Sequence, residues 1–220
     1  MKSRPNKFTD IVGQTAVIHR LQVSANGCVA SNTTMPHLLI DGPPGLGKTT
    51  IATALANELN SNLYITNAAN IRSVKNILPY LLGLTQGSVL FIDEIHRLPK
   101  LVEEFLYPVM EDFAINMVLD KEPETIDIPR FTLVGATTNA GILSQPFYDR
   151  FIIKEHLVFY SDDELAKLAG YNLDSLGMSV PLDTLLEIAK RRDTPKITGS
   201  KRINKNREAK LSNNGFSSCL

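Results

Sequence analysis

The sequence predicts an α/β protein with a five-stranded parallel sheet, on two observations. Five apolar runs of strand length recur at 37–40, 63–66, 89–92, 131–135 and 156–159, separated by helical or loop-like stretches. The first run leads into a glycine-rich loop and then a helical pattern over 50–59. Composition agrees with a globular body: 220 residues, 43% hydrophobic and 21% charged, with 23 Lys and Arg against 23 Asp and Glu. Zero net charge advertises neither a nucleic-acid nor a membrane surface. No apolar run approaches the ~20 residues of a membrane span, and residues 1–10 carry Lys and Arg with no apolar stretch behind them. The chain is therefore expected to be soluble and cytoplasmic, with no membrane partner. Cys28 and Cys219 match neither a disulfide framework nor a paired CxxC zinc motif.

Along the chain, the strand at 37–40 is followed by Gly42-Pro43-Pro44-Gly45-Leu46-Gly47-Lys48-Thr49, a full match to GxxxxGK[ST]. Gly42, Gly45 and Gly47 let the backbone curl so that successive N–H groups face a phosphate, and the following helix adds the positive end of its dipole. Lys48 would reach the β- and γ-phosphates and the Thr49 hydroxyl would ligate magnesium, so ATP and Mg2+ are the expected ligands. The strand at 89–92 ends in Asp93-Glu94. Beside a phosphate loop, Asp93 is the expected metal ligand and Glu94 the residue that polarises the attacking water, which points to hydrolysis rather than binding alone. His96, two residues on, is read as structural.

Pro99 suits the first turn of a helix whose apolar face is Leu101, Val102, Phe105, Leu106, Val109 and Met110. The strand at 131–135 ends in Ala136-Thr137-Thr138-Asn139, polar groups of a type that bonds a γ-phosphate or its water. Arg150, between apolar residues in Phe147-Tyr148-Asp149-Arg150-Phe151, suits charge developing on a transferring phosphoryl group; without the other motifs, an ion pair with Asp149 or another local acid would be the preferred reading. After Tyr160, Ser161-Asp162-Asp163-Glu164 reads as a helix start for Leu165 to Leu173, and Leu182, Leu185, Leu186 and Ala189 mark a second helix. The organisation expected is a large domain over 1–160, a partial small helical domain over 161–198, and a basic, disordered tail over 199–220. The charge balance is an average of unlike parts: residues 1–198 hold 18 basic and 22 acidic side chains, and the tail five basic and one acidic.

These residues resemble the RuvB family, the AAA+ class P-loop NTPases that drive branch migration of Holliday junctions. The signatures are Arg4-Pro5 leading to Ile11-Val12-Gly13-Gln14, the loop from Gly42 to Thr50, Asp93-Glu94-Ile95-His96-Arg97-Leu98, Leu106-Tyr107-Pro108 with Met110-Glu111-Asp112-Phe113, Gly135 to Thr138, and Asp149-Arg150-Phe151. They cover about residues 4–198, and the stretches around His96 and Glu111 are far more specific than the phosphate loop. The resemblance implies an ATPase motor subunit that assembles as a ring, expected to be a hexamer, and acts on four-way junction DNA with a RuvA-like partner, in recombination and repair. It places Arg4, Ile11 and Val12 by the base and sugar, and Glu111, Asp112, Phe113 and Tyr160 at the nucleotide. Thr138 becomes a first sensor, Arg150 a finger acting across a subunit boundary, and Lys196 the second sensor.

The departures are equally specific. Lys196 stands where the family uses Arg, and Asn139 and Tyr148 replace basic residues. The segment 117–129 matches the hairpin that docks RuvA but is a few residues short. After Thr198 the match stops, so a third helix of the small domain and a winged-helix DNA-gripping domain are expected to be missing, as after a truncation or a change of reading frame. Two other readings stand beside the motor: a clamp-loader or replication-associated AAA+ ATPase, and a catalytically weak nucleotide-binding module that modulates a full-length motor ring.

Overall fold

The computed structural model describes residues 5–119, 122–175 and 177–190. Its centre is a five-stranded, all-parallel sheet built from β1 (Leu38–Asp41), β2 (Leu63–Asn67), β3 (Val89–Asp93), β6 (Thr132–Thr137) and β7 (Ile153–His156), in the order β2-β3-β6-β1-β7. Such a sheet is covered on both faces, which is why its middle strands are apolar without alternation. Leu38, Ile40, Val89, Phe91, Val134 and Ala136 face one layer, formed by α1 (Thr15–Ser31) and α2 (Lys48–Glu58). Leu39, Leu90, Ile92 and Leu133 face the other, formed by α3 (Val74–Leu82) and α4 (Lys100–Glu111). The two core clusters thus divide each strand by the period of two that the pleat imposes.

The expected strands at 37–40, 63–66, 89–92 and 131–135 each fall on an observed strand. The fifth does not: the paired residues are Ile153–His156, and 157–160 is irregular chain. The apolar run at 156–159 is misleading because only Leu157 of it is buried, while Val158 and Phe159 are exposed. The true edge strand hides its inward position behind a charge, since Glu155 is buried and held by a two-pronged hydrogen bond from Arg20 of α1. Pro99 caps α4 from outside rather than occupying its first turn.

Between α4 and β6 lies an antiparallel hairpin of β4 (Ala114–Leu119) and β5 (Glu122–Asp127), paired with Met117 opposite Glu124. It begins three residues before the expected segment. A short helix α5 (Gln145–Asp149) precedes β7. The chain then enters α6 (Asp162–Ser175) and α7 (Leu182–Lys190), packed on each other through Ala166, Ala169, Leu185 and Ala189. The start of α6 is the expected one: Glu164 N–H donates to the Ser161 hydroxyl and Ser161 N–H to the Glu164 carboxylate. The second-sensor segment around Lys196 and the tail, like Arg4, lie outside the described residues.

Candidate active site

Parallel strands bring their carboxyl ends to one edge of the sheet, where ligands of open α/β sheets bind. Here the register sets Asp41 of β1 beside Thr137 of β6 and Ile92 of β3 beside Gly135, so the chain following each strand converges. The loop after β1 is held by backbone that side-chained residues rarely adopt: φ is +150° at Gly42, +84° at Gly45 and +89° at Gly47. At Gly42 a Cβ would also lie 2.9 Å from the Leu157 carbonyl. Gly47 caps α2, whose first residues are Lys48, Thr49 and Thr50. The Lys48 ammonium donates to the carbonyls of Gly42 (2.7 Å) and Pro43 (2.9 Å). Burial lowers its pKa, and the negative charges of Asp93, Glu94 and Asp41 pull the other way, so it is a cation set over the loop and facing three acids.

At the end of β3, Asp93 Oδ1 accepts the Glu94 N–H at 3.0 Å, and Glu94, at φ +50°, turns the chain into a single 3-10 turn over Ile95–Arg97. That turn is seated by Ile95 packing on Gly135, where a Cβ would come within 2.8 Å of Ile95 Cδ1. Glu94 Oε2 lies 3.5 Å from the Thr138 hydroxyl and 3.4 Å from His96 Nε2. Thus Lys48, Thr49, Asp93, Glu94 and Thr138, predicted from three separate stretches of sequence, form one cluster. His96, read as structural, belongs to it as well: its Nδ1 is 2.9 Å from the Thr137 hydroxyl. The available signal was its place one turn beyond the acids, at the strand end where the site is built.

The third wall joins the N-terminal loop to the chain leaving β7. Gln14, left-handed at φ +54°, donates its amide to the Val158 carbonyl (2.6 Å) and accepts the Val158 N–H (3.2 Å). The Tyr160 hydroxyl donates to the Leu46 carbonyl in the phosphate loop at 3.0 Å, and Ile11 and Tyr160 pack on the same core cluster. Ile11 therefore shares this wall with Tyr160, and Val12 adjoins it through Gly13, where a Cβ would lie 2.7 Å from the Tyr160 ring.

Arg150 and Glu111–Phe113 lie elsewhere. Arg150, Glu111 and Phe113 border a groove of about 590 Å³ with Pro36, His37 and Arg130, next to the amino ends of β1, β6 and β7 and so at the opposite end of the sheet from the phosphate loop. Arg150 donates to the Pro146 carbonyl (2.6 Å) and to Glu111 Oε2 (3.1 Å), and its guanidinium lies 4.1 Å above the Tyr107 ring. Its Nε is buried, with no hydrogen-bond partner among the described residues. The local acid that Arg150 meets is Glu111, not Asp149, which accepts from Gln145. Arg150 and the segment 111–113 are thus together, but apart from the chain's own phosphate loop.

The family described as the Holliday junction DNA helicase RuvB P-loop domain matches residues 3–157. The chain belongs to the RuvB family. It is 41% identical over 203 residues to the Holliday junction branch migration complex subunit RuvB of Rhodopirellula baltica, covering 90% of this chain and 56% of that one. To the same subunit of Lacticaseibacillus casei it is 43% identical over 199 residues, covering 88% of this chain and 59% of that one. The solved structure of the Thermotoga maritima RuvB Holliday junction branch migration motor superposes with a TM-score of 0.79 at 39% identity, covering 87% of this chain and 61% of that one. The chain spans somewhat over half the length of these curated relatives. RuvB proteins are P-loop ATPases, and the loop at 42–49 has the geometry to bind a nucleotide. No helix among the described residues is long and apolar enough to cross a membrane.

Proposed function

We propose that this chain binds ATP with Mg2+ and hydrolyses it as a motor subunit of the branch-migration type, working in a ring of copies on four-way junction DNA. The observation that carries the reading is the position of Lys48: held by the loop's own carbonyls, buried, and facing Asp93 and Glu94. Phosphate oxygens would take over the ammonium, which is a stronger partner for them than for two neutral carbonyls.

The donor set suits a small hard cation. The Thr49 hydroxyl makes no hydrogen bond among the described residues, and Asp93 keeps a carboxylate oxygen beyond the one that accepts from Glu94. Phosphate oxygens and waters would complete the shell around Thr49 and Asp93. When bound there, magnesium would neutralise charge on the phosphates. Glu94 would accept a proton from the attacking water, and Thr138 would hydrogen-bond the γ-phosphate or that water. Ile11, Val12 and Tyr160, with Arg4, would line the base and sugar.

The placement of Arg150, Glu111, Asp112 and Phe113 away from the phosphate loop supports a role for them at the nucleotide of a neighbouring copy, where an arginine finger would be worth ~10³–10⁵ in rate. The helix pair α6–α7 opens the small domain proposed for 161–198, with Lys196 as its sensor of nucleotide. The exposed hairpin β4–β5 is the surface proposed for a RuvA-like partner.

The test is steady-state hydrolysis by the full chain with Mg2+, with and without junction DNA. Hydrolysis is expected, and Glu94→Gln should lower kcat by about 10²–10⁴ while retaining nucleotide binding. No hydrolysis at any protein concentration, or a fully active Glu94→Gln chain, would overturn the reading.

A further inference from the structure

The 3-10 turn after Glu94 does more than end a strand. It brings His96 back to the carboxyl ends of β3 and β6, where its side chain is 15% exposed. The hydrogen-bond pattern around Thr137 decides how the ring is protonated. Thr137 is fully buried, and its hydroxyl oxygen accepts the Asn139 N–H at 3.0 Å. The hydroxyl hydrogen needs an acceptor, and among the described residues only His96 Nδ1, at 2.9 Å, offers one. Nδ1 is then bare and the proton sits on Nε2, which faces Glu94 Oε2 at 3.4 Å. The Thr138 hydroxyl approaches the same oxygen at 3.5 Å, whereas Glu94 Oε1 has no hydrogen bond among the described residues.

We propose that His96 is a positioning residue for the water-activating carboxylate: the Thr137 hydroxyl fixes its tautomer, and its Nε2–H anchors Glu94 Oε2 so that Oε1 is presented to the water. The proposal rests on the reading of Glu94 given above. Its role is distinct from that of Thr138. Adjacent threonines divide the work, Thr138 being free to turn toward the γ-phosphate because Thr137, through His96, keeps hold of the carboxylate. Without the ring, Thr138 alone would have to hold Glu94 and meet the phosphate.

Two measurements on the full chain test this. First, His96→Ala should lower kcat about tenfold to a hundredfold, the cost of misplacing a reacting group, with ATP affinity changed less than about threefold. His96→Gln, which keeps an amide donor and a carbonyl acceptor on one side chain, should recover most of the loss. In the Glu94→Gln background His96→Ala should cost nothing further. A His96→Ala chain turning over at the wild-type rate would overturn the proposal, as would equal losses in both variants that track a fall in nucleotide affinity. Second, 15N–1H correlation of the histidine rings in the nucleotide-free protein should show His96 protonated on Nε2 only, and finding the Nδ1–H tautomer would overturn the proposal. A wild-type chain that hydrolyses no ATP defeats the ATPase reading, and the ring spectrum then decides the placement of His96 by itself.

Discussion

Replacing Gly13 by alanine should damage the nucleotide cradle from a position in the N-terminal loop. Gly13 has φ +76°, where an L residue costs ~1–2 kcal/mol, and its new Cβ would meet the Tyr160 ring at 2.7 Å and Glu164 Oε1 at 3.0 Å. The ring atoms struck are Cδ1 and Cε1, close to the root of the side chain, so the tyrosine must move as a body. Moving it breaks the Tyr160 hydroxyl's bond to Leu46, worth about 0.5–1.5 kcal/mol. The sum is about 1.5–3.5 kcal/mol, which at ~2–4 °C per kcal/mol for a chain of this size lowers Tm by about 3–14 °C. Nucleotide affinity should fall as well, because the displaced tyrosine supports the phosphate loop. Gly27→Ala is the control: it lies within α1, a Cβ there meets nothing within 4 Å, and stability should rise by about 0.5–1 kcal/mol. Thermal unfolding with a fluorescent ATP analogue reads both effects. If Gly13→Ala keeps the wild-type Tm and affinity, the coupling of this loop to Tyr160 and the phosphate loop is refuted.

Acid should destabilise the fold through His37. Its Nδ1 accepts the Leu133 N–H and its Nε2–H donates to the Met110 carbonyl, both at 2.9 Å, so the ring is neutral and burial pushes its pKa down. Above about pH 6.5 the ring is neutral in both states; as pH falls the unfolded chain takes up the proton first, so stability declines down through the depressed folded value. Unfolding midpoints from pH 7.5 to 5 should show this fall in the wild type and a shallower one in His37→Gln, and parallel curves would reject it. Mixing Arg150→Ala with Lys48→Ala chains should restore part of the ATPase activity that each lacks alone, since mixed neighbours reconstitute some intact sites; no rescue at any ratio would place the finger within its own subunit.

Where one physical cause set the structure, the sequence was readable. The middle strands are buried on both faces, so Val89–Asp93 and Thr132–Thr137 stand out as apolar runs. The phosphate loop is legible because its glycines have no substitutes at those φ values. The edge strand was misread because burial of Glu155 depends on Arg20, 135 residues away, which local hydrophobicity cannot register. The place of His96 in the cluster was not legible for a related reason: its partners, Thr137 and Glu94, meet only when β3 and β6 pair. The segment 111–113 carried a family role without a position, and only the direction of the parallel strands shows that it shares the far end of the sheet with Arg150.

The paired hydrogen bonds between the Gln14 amide and Val158 have a mechanical consequence. They fasten the N-terminal loop to the single length of polypeptide that leaves the sheet for α6 and α7, beside the loop that Tyr160 touches. A torque on the helix pair would then reach the rim of the cradle through these bonds. If filling the cradle shifts this attachment, thermodynamic reciprocity requires that the angle of the helix pair bias the filling in turn.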